Sequence, residues 1–139
     1  MPTFYITSNH EYTDEAVALR SRLVAAGLKL TYDWTTHDAP HGSCHRLAAV
    51  AEDMAHGASD ADLFVMIRPA DRDASVELGV ALSRHMLYKS NRIVLWEPDE
   101  DNATEVFGFG KNTCPFYHYP GVEMFVGNLD AVIAYLVAP

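Results

Sequence analysis

Asp62-Leu-Phe-Val-Met-Ile67, followed by Arg68-Pro-Ala-Asp-Arg-Asp-Ala74 and then Ser75-Val-Glu-Leu-Gly-Val-Ala-Leu82, decides the fold. The first six residues are a nearly continuous apolar run without alternation, the pattern of a strand buried on both faces. The polar stretch 68–74 reads as a loop, and Ser75 as the cap of a helix that runs to Tyr88. A doubly buried strand leading straight into a helix is the building unit of a parallel α/β sheet.

The same unit recurs on either side. Thr3-Phe-Tyr-Ile-Thr7 is a β-branched and aromatic run, and residues 13–26 form an amphipathic stretch carrying Val17, Leu19, Leu23 and Val24, which Gly27 stops. Residues 28–32 begin a second strand that ends at Asp33-Trp34-Thr35, and 36–43 is loop by composition, with Pro40 and Gly42. Ser43 caps a helix carrying Leu47, Val50 and Met54, expected to end near Gly57. Downstream, 91–96 is a fourth strand, 97–119 a polar excursion containing Gly and Pro, 123–126 a last strand and 128–136 a last helix. This alternation predicts one α/β domain over residues 1–139, with a flavodoxin-like parallel sheet, helices on both faces and right-handed crossovers.

At 139 residues and 49 % hydrophobic, the chain can bury a core without disulfides or metals. Its formal charge of −9, from 10 Lys+Arg against 19 Asp+Glu, argues against a nucleic-acid polymer or an anionic membrane as partner. Free nucleosides need no basic field. Two cysteines, Cys44 and Cys114, fit a reducing compartment. With no leader pattern and no apolar run of membrane-spanning length, a cytoplasmic location is expected.

In sheets of this kind ligands bind outside the carboxyl ends of the strands, which directs attention to residues 5–10, 33–35, 68–77 and 97 onward. Glu77 then reads in two ways. It is an anion in the first turn of a helix, held at low pKa by the dipole and usable as a nucleophile, or it is an acid that simply completes the helix start. Gly79 would allow close approach by the first strand or a ligand. His37, Asp38, His41, Cys44 and His45 have zinc-like ligand types without a recognised spacing and read as polar loop, so no metal is expected. The chain lacks a Gly-x-Ser-x-Gly elbow and the glycines of phosphate and dinucleotide loops, which tells against a serine hydrolase, an NTPase or a nicotinamide dehydrogenase.

Tyr5-Ile-Thr-Ser8, Gly27 before a strand ending in Asp33-Trp34-Thr35, Asp53 followed by Ser59-Asp-Ala-Asp-Leu-Phe-Val65, and Ser75-Val-Glu-Leu-Gly-Val-Ala-Leu82 together resemble the nucleoside 2-deoxyribosyltransferase family, including the related nucleotide N-glycosidases. The resemblance spans 4–96 and weakens beyond. It implies a retaining displacement at the anomeric carbon of a deoxyribosyl group, with Glu77 as nucleophile, Tyr5 orienting it and Asp53 near sugar and base. Asp71 or Asp73 would hydrogen-bond or protonate the departing base, and Ser75, Ser8 and Trp34 would contact substrate. No cofactor is implied. The resemblance also implies a homodimer or higher oligomer in which the excursion lends residues to a neighbouring site. Phe116-Tyr-His-Tyr119 either closes a pocket over a base or is a packed loop.

One departure bears on the ligand. Nucleotide-hydrolysing members carry a Gly-rich loop for a 5′-phosphate where this chain has Asp71-Arg-Asp-Ala-Ser75. Two carboxylates repel a phosphate unless Arg68 and Arg72 offset them, which favours an unphosphorylated nucleoside. The rival expectation is a catalytically silent nucleoside- or nucleotide-sensing module on the same fold.

Overall fold

The computed structural model describes residues 2–36, 44–102, 108 and 114–139. Five strands, β1 (Thr3–Thr7), β2 (Lys29–Leu30), β3 (Leu63–Ile67), β4 (Arg92–Glu97) and β5 (Val122–Val126), form one sheet in the order β2-β1-β3-β4-β5 with every pairing parallel. Among the described residues, helices α1 (Thr13–Ala25), α2 (Cys44–Asp60), α3 (Arg72–Tyr88) and α4 (Leu129–Val137) connect or follow them. This is the flavodoxin-like arrangement of a single α/β domain.

Side-chain alternation assigns the two faces. Phe4, Ile6, Val65, Ile67, Val94 and Trp96 pack with Leu19 and Leu23 of α1 and Val132 and Leu136 of α4. Tyr5, Phe64, Met66, Ile93 and Leu95 pack on the other side with Ala58 of α2 and Leu78, Ala81 and Leu82 of α3. Because both faces are covered, the five residues of β3 are all buried, and the unalternated run 63–67 follows from that.

Several boundaries differ from expectation. Strand β2, at the sheet edge beside β1, is two residues long, and Thr31 then turns its hydroxyl to the Gly57 carbonyl, 2.8 Å away. Strand β4 extends one residue further, to Glu97. Helix α3 starts at Arg72, not Ser75: the Asp71 carboxylate caps it by accepting from the Ala74 amide at 2.9 Å, and Ser75 sits inside the first turn with its hydroxyl on the Asp71 carbonyl. Aspartate caps as well as serine does, and the earlier start adds backbone bonds and buries Ala74.

Gly57, expected to end α2, lies within it. A Cβ there would stand 2.9 Å from Tyr32 Cβ and 3.0 Å from the Tyr5 ring, so glycine is what lets β1 and the segment after β2 approach the helix. Gly79 has the opposite surroundings. Nothing lies within 4 Å of a Cβ at that position, which corrects the expectation of a close approach there. Gly57→Ala should therefore destabilise the fold by roughly 1–3 kcal/mol through overpacking. Gly79→Ala should stabilise it by about 0.5–1 kcal/mol by restricting the unfolded chain on an exposed helix face. Urea denaturation of the two variants checks both signs at once.

No helix among the described residues is long and apolar enough to cross a membrane. His37, Asp38 and His41 lie outside the described residues, as do the side chains of Cys44 and His45.

Candidate active site

Tyr5 and Thr7, two residues apart on β1, present their side chains to the face covered by α2 and α3. Glu77, in the second turn of α3, meets them there. The Thr7 hydroxyl donates to Glu77 Oε1 at 3.1 Å, and the two residues are only 2 % and 5 % exposed. The Tyr5 hydroxyl and Glu77 Oε2 are buried and, among the described residues, have no hydrogen bond of good geometry. They are nevertheless close enough for each to act on the other's ionisation.

Burial raises the pKa of Glu77 to about 7, against the lowering influence of Tyr5 and Thr7, and the Asp73 and Asp71 carboxylates add to the rise. Burial likewise pushes the Tyr5 phenol well up, reinforced by the neighbouring glutamate. This corrects the expectation of a low-pKa anion in a first helical turn. Glu77 lies one turn further in than expected, where the dipole has faded, and the loss of water dominates.

Glu77 lines a cavity of about 290 Å³ between α2 and α3. Its walls are apolar, with Leu47, Val50, Ala51, Met54 and Ala55 from α2 and Val76 and Val80 from α3, and Asp73 is its other acid. No lysine, arginine or histidine is among these residues. Such a site can hold an uncharged, partly apolar ligand against a carboxyl group that is half ionised near neutral pH.

The remaining expected site residues are distributed unevenly. Asp71 is engaged as the α3 cap, within electrostatic reach of Glu77, and Asp73 is an exposed residue of the cavity with Arg72 Nε 3.3 Å away. Ser75 is exposed on the outside of the helix start. Ser8 is buried, its hydroxyl directed to the Asn9 carbonyl. Trp34 donates its indole N–H to the Ile6 carbonyl at 2.6 Å and meets His10 edge-on. Asp53 is exposed on another side of α2 and lines a separate cavity with Lys29, Tyr32 and His56. The structure thus brings Tyr5, Glu77, Asp71 and Asp73 together, while Asp53, Ser75, Ser8 and Trp34 do not line the Glu77 cavity. No protein-family model matches the chain, and no curated protein matches it.

The aromatic run at the end of the excursion packs elsewhere as well. Tyr117 is buried beneath the Arg68 guanidinium, Tyr119 meets His85 edge-on, and Phe116 is exposed. Sequence reasoning missed the roles of Thr7 and Gly57, and it pointed to the stretch from Glu97 onward without reading Glu97 as a buried acid. Glu97 is 1 % exposed at the carboxyl end of β4, with Oε2 accepting from the Asp99 amide at 3.1 Å and Oε1 without a hydrogen-bond partner among the described residues. Burial raises its pKa, and the Asp99 amide and Arg68 oppose the rise. An acid closing the apolar run 93–96 at a ligand-binding sheet edge was the available signal.

Proposed function

We propose that the Glu77 cavity cleaves or transfers the N-glycosidic bond of a nucleoside, deoxynucleoside or related N-glycoside through a covalent glycosyl-glutamate. That is the chemistry implied by the likeness to the nucleoside 2-deoxyribosyltransferases and nucleotide N-glycosidases. The observation that carries the proposal is the state of one carboxyl group: buried against an apolar cavity, with Oε1 held by Thr7 and Oε2 without a hydrogen bond of good geometry among the described residues. A buried acid left half satisfied costs stability and is retained where a reacting group must complete it.

In this reading the ionised Glu77 attacks the anomeric carbon through Oε2 as the carbon–nitrogen bond breaks and its electron pair leaves with the base. The departing nitrogen takes a proton from Asp73 or solvent. A second base, or water, then attacks the same carbon, the ester bond to Glu77 breaks, and the carboxylate is restored. The absence of any cation among the described cavity residues and the two carboxyl groups there favour a substrate without a 5′-phosphate.

One observation favours a second reading, a silent nucleoside-binding module. Asp53, which the likeness would put beside sugar and base, lines a different cavity. Chromatography of a panel of deoxynucleosides incubated with the protein, with and without a second free base, decides between the two. Base release or exchange supports the enzyme, and none from deoxynucleosides, ribonucleosides or their monophosphates supports the module.

The acidic neighbour has its own expected consequence. Removing the Asp73 charge takes away a like charge that raises the Glu77 pKa, so Asp73→Asn should move the Glu77 titration below about 7. Carbon-13 NMR of labelled glutamate, recorded without substrate, reads the shift directly. A midpoint that rises or stays put would remove Asp73 from the site's electrostatics.

A further inference from the structure

Glu77 has one hydrogen bond of good geometry to its side chain among the described residues, and it comes from β1, seventy positions away in sequence. We propose that Thr7 is a positioning residue: its hydroxyl commits Oε1 of Glu77 to the scaffold and leaves Oε2 as the oxygen that attacks the sugar. This rests on the glycosyl-transfer reading of the site.

Three features carry the assignment. Threonine in a strand is stiff about its first side-chain bond, so the direction of the Thr7 hydroxyl is set by β1, whose register beside Met66 of β3 is fixed by the sheet. Both residues are withdrawn from water, where a hydroxyl bond to a carboxylate is stronger than at a surface. And among the described residues no cation competes for Glu77. Among the described residues the groups acting on Glu77 besides Thr7 are Tyr5 from β1 and Asp71 and Asp73 from the start of α3, while α2 lends the cavity apolar side chains such as Leu47, Val50 and Met54. Without a lysine or arginine among the described cavity residues to hold the carboxylate, the one hydrogen bond of good geometry, from Thr7, distinguishes its two oxygens, with the Tyr5 hydroxyl as the second β1 group acting on it.

Thr7→Val keeps the side-chain shape and removes the donor, and Thr7→Ser restores the donor on a smaller side chain. Two readouts are taken on each: the Glu77 titration by carbon-13 NMR without substrate, and kcat and KM for base release at pH 6 and pH 8. The valine variant should titrate higher by roughly one pH unit and lose about ten- to a hundredfold in kcat, as loss of a hydrogen bond to a charged group predicts, with KM nearly unchanged. Serine should bring both values back toward those of the parent. A valine variant with an unmoved midpoint overturns the proposal whatever its turnover, as does a loss of kcat that serine fails to restore. If the midpoint rises but the parent protein turns over no N-glycoside, the glycosyl-transfer reading falls, and with it the role of Oε2 as attacking atom.

Discussion

Glu77→Ala is expected to reduce base release by about a thousandfold or more, with the fold intact. The variant removes the group that bonds to the sugar, and nothing nearby replaces it. Asp73 lies at the exposed end of the cavity and Asp71 is occupied in capping α3. The fold should survive because the deletion enlarges a cavity that already exists beside Glu77, and because the lost interaction amounts to one hydrogen bond from Thr7. Chromatographic assay of the variant beside the parent protein measures the effect. Base release undiminished in the variant would leave Glu77 as a structural acid and end the proposal of a glycosyl-enzyme.

Glu77→Gln, the second large effect, should make the protein more stable as pH rises. The acid titrates near 7 in the folded chain against an ordinary value of 4.5, so the folded state holds its proton more tightly than the unfolded one. Below about pH 4.5 the group is protonated in both states and adds no pH dependence. Between there and pH 7 the unfolded chain ionises first, and stability falls. Above pH 7 the loss levels off at about 3 kcal/mol. Glutamine has no such titration, so the variant's advantage should grow by about that amount between pH 4 and pH 8, whatever the amide gains or loses in its fixed contacts. Urea denaturation at several pH values reads it. Parallel pH curves for parent and variant would mean that Glu77 ionises as it does in water. A site that gives up stability in this way is characteristic of groups retained for chemistry.

The sheet was legible because its signal is local: doubly buried strands such as 63–67 and 93–96 are written as unbroken apolar runs. The shortness of β2 was not, since the chain leaves β1 where Thr31 turns to the Gly57 carbonyl, a contact with α2 that no local pattern announces. The start of α3 was misplaced by one turn because Asp71 and Ser75 are both good caps and only packing chooses between them. Glu77 was legible as a residue and misjudged as an ion, because its burial is a property of α3 seated on β1. Thr7 looked like any β-branched strand residue; its role exists only once Glu77 stands opposite. The position of Asp53 could have been read. Leu47, Val50 and Met54 mark the side of α2 that faces the cavity, and residue 53 falls about 100° away from 54 on a helical turn.

The most direct test of the glycosyl-glutamate is the configuration at the anomeric carbon of the transfer product. A deoxynucleoside and a second free base are incubated with the protein, and the new nucleoside is examined by proton NMR. Two successive displacements at Glu77 predict complete retention of the starting anomer. An inverted product would contradict the covalent intermediate and assign the chemistry to a single displacement by the incoming base.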